Sequence, residues 1–125
     1  AYPILLRRIS NPPAALFIDG DPGCLWQPQI AVIGSRNPTA GGLEHARDFA
    51  ATLARQGMTI TSGLASGIDT AAHKAALDAG ALTIAVNGTG LVQGRDQLAW
   101  DIFIQMGLVC LNRRANAIIK GAANR

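Results

Sequence analysis

From Gln29 onward the apolar and polar positions repeat one pattern. Ile30-Ala31-Val32-Ile33 is a continuous apolar run stopped by Gly34. A short run without alternation predicts a strand buried on both faces of a sheet. Farther on, Leu43, Ala46, Ala50 and Leu53 recur at steps of three, four and three. That spacing predicts a helix from Gly41 to Gly57, with Glu44, Arg47, Asp48 and Arg55 mostly on the other side. Gly57 fits as its left-handed stop. Met58 to Thr61 then reads as a strand ended by Ser62-Gly63, and Ile68 to Ala79 as a helix closed by Gly80. Leu82 to Val86 reads as a third strand, Asp96 to Met106 as a third helix, and Leu108 to Leu111 as a fourth strand. Ala115 to Ala123 can form a last helix.

Strand, glycine loop and helix, repeated three times, is the βαβ pattern. It predicts an α/β domain of three layers: a mostly parallel sheet with right-handed crossovers and helices on both faces. In such sheets ligands bind beyond the carboxyl ends of the strands. The loops of interest are therefore 34–41, 62–68 and 87–95.

The first 29 residues break the pattern. Pro3, Pro12, Pro13, Pro22 and Pro28 are five of the six prolines, and proline disfavours long helices and central strands. Ala14 to Ile18 can form one short strand, and Asp19-Gly20-Asp21-Pro22-Gly23 reads as a turn cluster. Residues 1–29 are thus expected to be an irregular extension packed on the core of residues 30–125.

Composition narrows the class. At 125 residues the chain fits a single domain, 1–125. A hydrophobic share of 49% with 15% charged residues excludes disorder. The net charge of +3 is unevenly placed. Residues 102–125 hold Arg113, Arg114, Lys120 and Arg125 and no acid; the remainder has 7 basic and 8 acidic residues, or −1. Cys24 and Cys110 match no metal spacing and read as buried small hydrophobes. No apolar run is long enough to span a membrane, and no basic-then-apolar signal opens the chain. A cytoplasmic location, with no metal and no cofactor, is the expectation.

The three loops carry the candidate chemistry. In the first, Gly34 permits a tight turn after the strand, and the following amides with the helix start form an anion site. Ser35 and Thr39 can donate hydroxyl hydrogen bonds, and Arg36 can grip a phosphate bidentately. Thr39 also suits a helix N-cap. In the second loop, Ser62, Gly63 and Gly67 let backbone approach a ligand. Asp69 stands where a cap belongs, with His73 one turn later as a packed histidine. A hydrolytic triad with Ser62 or Ser66 lacks the G-x-S-x-G elbow. In the third, Asn87-Gly88-Thr89-Gly90 approaches a dinucleotide fingerprint, but its third glycine comes one residue late and no ribose acid follows. No P-loop occurs. His45 reads as a solvated residue of the first long helix.

These loops resemble the Rossmann-like domain of the DNA-processing protein A family, DprA or Smf. The resemblance runs through Tyr2-Pro3, Pro12-Pro13 and Leu16-Phe17-Ile18-Asp19-Gly20-Asp21. It is strongest in Ala31-Val32-Ile33-Gly34-Ser35-Arg36 and in Ser62-Gly63-Leu64-Ala65-Ser66-Gly67-Ile68-Asp69 with Ala72-His73. Thr83-Ile84-Ala85-Val86 with Gly88-Thr89-Gly90-Leu91 completes it. The resemblance implies binding of single-stranded DNA with little sequence preference, and assistance to RecA loading in natural transformation. It implies that Arg36 and its loop take a DNA phosphate, and that the role is not enzymatic. DNA contacts are expected at Gly34, Ser35, Arg36, Thr39, Ser62, Gly63, Gly67, Gly88, Gly90, Arg113, Arg114 and Asn116, and a structural cap at Asp69 and His73.

The chain also departs from that family. Gly41 stands where the family has an aromatic residue, and Ser66 where it often has a basic one. Val92-Gln93-Gly94 replaces an Asp and a Tyr-Pro. After Leu111 the family's Ser-Glu segment and Pro/Gly-rich stretch are missing, and Ala117 replaces an arginine. Two other readings stand beside DNA binding. One is a nucleotide site like that of the cytokinin-activating phosphoribohydrolases, though Asn87-Gly88-Thr89-Gly90 lacks their closing glutamate. The other is a protein-contact domain: the apolar third helix, with Trp100, Ile102, Phe103, Ile104 and Met106, is either a homodimer surface or a buried helix.

Overall fold

The computed structural model describes residues 2–13, 16, 18–87 and 109–112. In chain order the elements are α1 (Ile4–Arg7), β1 (Ile18–Asp19), a 3₁₀ helix (Pro22–Trp26), β2 (Gln29–Ala31), α2 (Ala40–Arg55), β3 (Thr59–Ser62), α3 (Ile68–Asp78), β4 (Thr83–Asn87) and β5 (Val109–Asn112). The strands form one sheet in the order β1-β5-β4-β3-β2. β2, β3, β4 and β5 run parallel, and β1 pairs antiparallel with β5 through Ile18 and Leu111. The structure is thus the expected α/β architecture with a mostly parallel sheet.

The strand order decides where the helices go. β2, β3 and β4 follow one another in sequence and in space, so both crossovers step in the same direction. Right-handed crossovers of that kind place α2 and α3 side by side on one face. Their shared core is built from small residues: Ala50 and Ala54 of α2 meet Ala72, Ala75 and Ala76 of α3 over Ile60 of β3. Alanine lets the helices approach each other and the sheet closely.

The period of two along each strand sorts the two faces. Ile60 joins the helical core, while Ile84 packs on Cys24 and Leu25 of the 3₁₀ helix. Helical elements therefore cover both faces: α2 and α3 on one, the 3₁₀ helix on the other. Cys24 is buried as expected. Burial pushes its thiol pKa up, and the Asp21 carboxylate adds to the shift.

Several local expectations hold, and the reasons are visible. Thr39 caps α2, its Oγ1 accepting from the Gly42 amide at 3.1 Å. Gly57 and Gly80, which follow the two long helices, have φ of +86° and +71°. Others need correction. β2 is not buried on both faces: among the described strands it lies at an edge, and Ile33 beyond it is 76% exposed. Its inner contacts are Ile30 and Val32, which pack on the helical core. Residues 1–29 are not irregular throughout, since they supply α1, β1 and the 3₁₀ helix. The short strand expected at 14–18 lies at Ile18–Asp19, where β5 offers an edge to pair with. The helices expected at 96–106 and 115–123 lie outside the described residues.

Candidate functional site

The loop after β2 begins with a close contact. A Cβ on Gly34 would lie 2.7 Å from Cγ1 and 2.9 Å from Cβ of Ile68, so only glycine lets the start of α3 pack there. Ser35 Oγ then accepts from the Asn37 amide at 3.0 Å, a local turn that brackets Arg36. Arg36 is exposed. The chain enters α2 through Thr39, so the helix N-terminus and its partial positive charge lie directly beyond the loop.

The loop after β3 is fastened to the first. The Ile68 amide donates to the Ser35 carbonyl at 3.2 Å. Gly67, with φ of +88°, sits so near that loop that a Cβ would overlap the Ser35 carbonyl oxygen and lie 2.9 Å from that of Arg36. Within the second loop, Thr70 donates its amide and its hydroxyl to the Ala65 carbonyl, at 3.2 and 2.8 Å. Leu64 is buried at a φ of 61°, which a non-glycine residue adopts only when its surroundings hold it. The two loops therefore form one braced unit.

The bracing redirects three of the expected roles. Ser62 is 3% exposed and its hydroxyl donates to the Val32 carbonyl at 2.6 Å. It ties β3 to the residue that follows β2 and is turned inward. The Gly63 amide donates to Asp69 Oδ2 at 3.1 Å, so it is already committed within the protein. Asp69 is not the cap of α3. Gly67 takes that position without any side-chain bond, and Asp69 lies in the first turn, where it holds Gly63. A carboxylate there also favours the positive end of the helix.

His73 is fully buried, with Nδ1 2.6 Å from Thr83 Oγ1. Thr83 donates its one hydroxyl proton to the Ile60 carbonyl at 2.7 Å. Its oxygen must then accept, so Nδ1 carries the ring proton. Burial pushes the His73 pKa down to about 4, with the Asp69 carboxylate opposing part of the shift. The ring is neutral at neutral pH and links α3 to β4. His45 is exposed, as expected. Among the described residues no group of His, Cys, Asp and Glu could hold a metal ion.

Beside the braced loops lies a groove of about 520 Å³ between α2 and α3. Arg36, Asn37 and Gly67 line it together with Arg47 of α2 and Lys74 of α3. Arg47 and Lys74 were not among the residues expected from sequence. Each reads as a solvated charge on its own helix, and only the side-by-side helices bring them to Arg36. Gly88, Gly90, Arg113, Arg114 and Asn116 lie outside the described residues.

Comparison with known proteins gives a consistent result. Residues 1–109 match the family described as DNA recombination-mediator protein A. Protein Smf of Escherichia coli K12 is 49% identical over 90 residues, covering 72% of this chain and 24% of that protein. DNA processing protein DprA of Streptococcus pneumoniae R6 is 46% identical over 90 residues, covering 72% of this chain and 32% of that protein. The chain thus spans about a quarter to a third of the curated relatives it matches. Among solved structures, that of DNA processing protein A from Helicobacter pylori, described for its single-stranded DNA binding mode, superposes with a TM-score of 0.79 at 27% identity. It covers 90% of this chain and 53% of that one. The Streptococcus pneumoniae DprA structure superposes at 0.77 with 37% identity, covering 90% of this chain and 40% of that one. With its Rossmann-like sheet and a family match that runs over residues 1–109, the chain belongs to the DNA recombination-mediator protein A family.

Proposed function

We propose that this domain binds single-stranded DNA through phosphate contacts at the loop Gly34 to Thr39, with Arg36 as the main contact. The observation that carries the reading is Arg36 itself: an exposed guanidinium on a loop whose backbone is clamped by Gly67 and Ile68. A loop backbone already held in place adds less ordering cost when its cation meets an anion. Ser35 and Thr39 hydroxyls flank it, and the α2 N-terminus lies behind it. The Helicobacter pylori relative is described as binding single-stranded DNA, which supports the same partner here. Within the whole protein the domain assists RecA loading in natural transformation, in the cytoplasm.

The role is one of binding and not of bond breaking. Asp69 and His73, both on α3, are buried, with Asp69 Oδ2 bonded to the Gly63 amide and His73 Nδ1 to Thr83. Phosphate contacts give affinity that falls with salt and tolerates any sequence. The test is a titration of fluorescein-labelled oligo-dT at two salt concentrations, read by anisotropy. Binding that weakens with salt is expected. Affinity independent of salt contradicts the reading, and release of ribose phosphate from AMP would favour the phosphoribohydrolase alternative.

A further inference from the structure

We infer that the groove between α2 and α3 is a second phosphate track, and that the single strand runs from the Arg36 loop across the helical face. The inference rests on the DNA-binding reading and adds Arg47 and Lys74 to it.

The argument begins with charge. Residues 18–87 contain four cations, Arg36, Arg47, Arg55 and Lys74, and six acids, Asp19, Asp21, Glu44, Asp48, Asp69 and Asp78. A stretch with that balance has no general attraction for DNA. Yet three of its four cations line one groove, and the described lining contains no carboxylate. The fourth, Arg55, lines a different depression near Gly57 and Gly80. The positive charge is concentrated by the fold and not by composition.

Geometry supplies the rest. Arg36 comes from the β2–α2 loop, Arg47 from the middle of α2 and Lys74 from the middle of α3. All three are exposed. The floor between them is Pro38, Leu43, Gly67, Thr70 and Ala71, which are half-buried or buried and mostly small. Small side chains keep the groove open for a backbone while the long cations stand along it. Gly67, Thr70 and Ala71 at the start of α3 lie in the lining. Arg36 belongs both to the loop and to the groove, so a strand held at the loop can continue toward Arg47 and Lys74.

The test compares Arg47→Ala, Lys74→Ala and their double variant with Arg55→Ala, using the full chain. Arg55→Ala makes the same charge change outside the groove. Binding of labelled oligo-dT is measured over a range of salt, with a short oligonucleotide of about 6 nucleotides and a longer one of about 15. Each lost contact on a single strand lowers the slope of log K against log salt by about 0.7. We expect a fall of about 0.7 for each groove variant and about 1.4 for the pair on the longer oligonucleotide. Arg55→Ala is expected to leave that slope in place, and the short oligonucleotide to respond much less. Circular dichroism melts confirm that the variants fold. If Arg36→Ala weakens binding while both groove variants keep the wild-type slope, the track is wrong and the Arg36 reading stands. If Arg55→Ala lowers the slope as much as the groove variants do, the effect is net charge and the track is again wrong. If the wild-type chain does not bind oligo-dT, both readings fall together.

Discussion

The amide of Ile68 donates to the carbonyl of Ser35 at 3.2 Å, so the first residue of α3 holds the loop that carries Arg36. Two glycines make that bond possible. Gly34 leaves room for the Ile68 side chain, and Gly67 leaves room for the Ser35 and Arg36 carbonyls. The position of Arg36 is therefore set by a contact from another part of the chain.

Gly67→Ala tests the brace. Its φ of +88° strains any other residue, and its new methyl group would meet backbone oxygens that cannot swing away. Gly57→Ala is the comparison, because its φ is also positive, at +86°, and nothing lies within 4 Å of the added carbon. Left-handed strain costs roughly 1–2 kcal/mol at Gly57, and at Gly67 a ψ of −124° lies outside the left-handed helical region as well, so alanine there is strained at least as much. Gly67→Ala should lose about 1–3 kcal/mol more by urea denaturation and also bind oligo-dT less tightly. Equal losses for the two variants would show that the loops do not brace each other.

Ser62→Ala separates a structural serine from a DNA contact. The hydroxyl ties β3 to the Val32 carbonyl, so its removal should cost about 1 kcal/mol of stability. Affinity for oligo-dT should stay at the wild-type value. A drop in affinity without a drop in stability would return Ser62 to the binding surface.

His73 makes stability depend on pH in a stated direction. Its pKa in the folded chain is pushed down to about 4, against an ordinary value of 6.5. Between those values the unfolded chain binds the proton and the folded chain does not, so unfolding takes up a proton. Stability is full above pH 6.5 and is lost as pH falls toward 4, by roughly 3 kcal/mol in all. Urea midpoints measured between pH 7 and pH 4 should fall accordingly. An NMR titration in which the buried ring protonates near 6.5 would contradict it.

Much of this fold is written locally in the chain. The helix stops at Gly57 and Gly80 and the cap at Thr39 depend on neighbours a few residues away. Their residue types declare them. What escaped sequence reading depends on partners far along the chain. Ile30 to Ile33 looks like a central strand, yet it lies at an edge of the described sheet, and nothing in the run says which strands flank it. The pairing of Ile18 with Leu111 joins segments 93 residues apart. Ser62 and Ser35 are both serines beside a loop glycine, but only the fold shows that Ser62 turns inward. Arg47 and Lys74 look like ordinary solvated charges until the strand order sets α2 beside α3.

The central claim is that Arg36 takes a DNA phosphate. Its most direct test is the salt dependence of oligo-dT binding in the wild-type chain and in Arg36→Ala. Arg36 is exposed, and its side chain makes no described bond that the fold needs, so the variant should melt with the wild type. The account predicts weaker binding at low salt and a slope of log K against log salt reduced by about 0.7. An unchanged affinity and slope in a folded Arg36→Ala chain would contradict it.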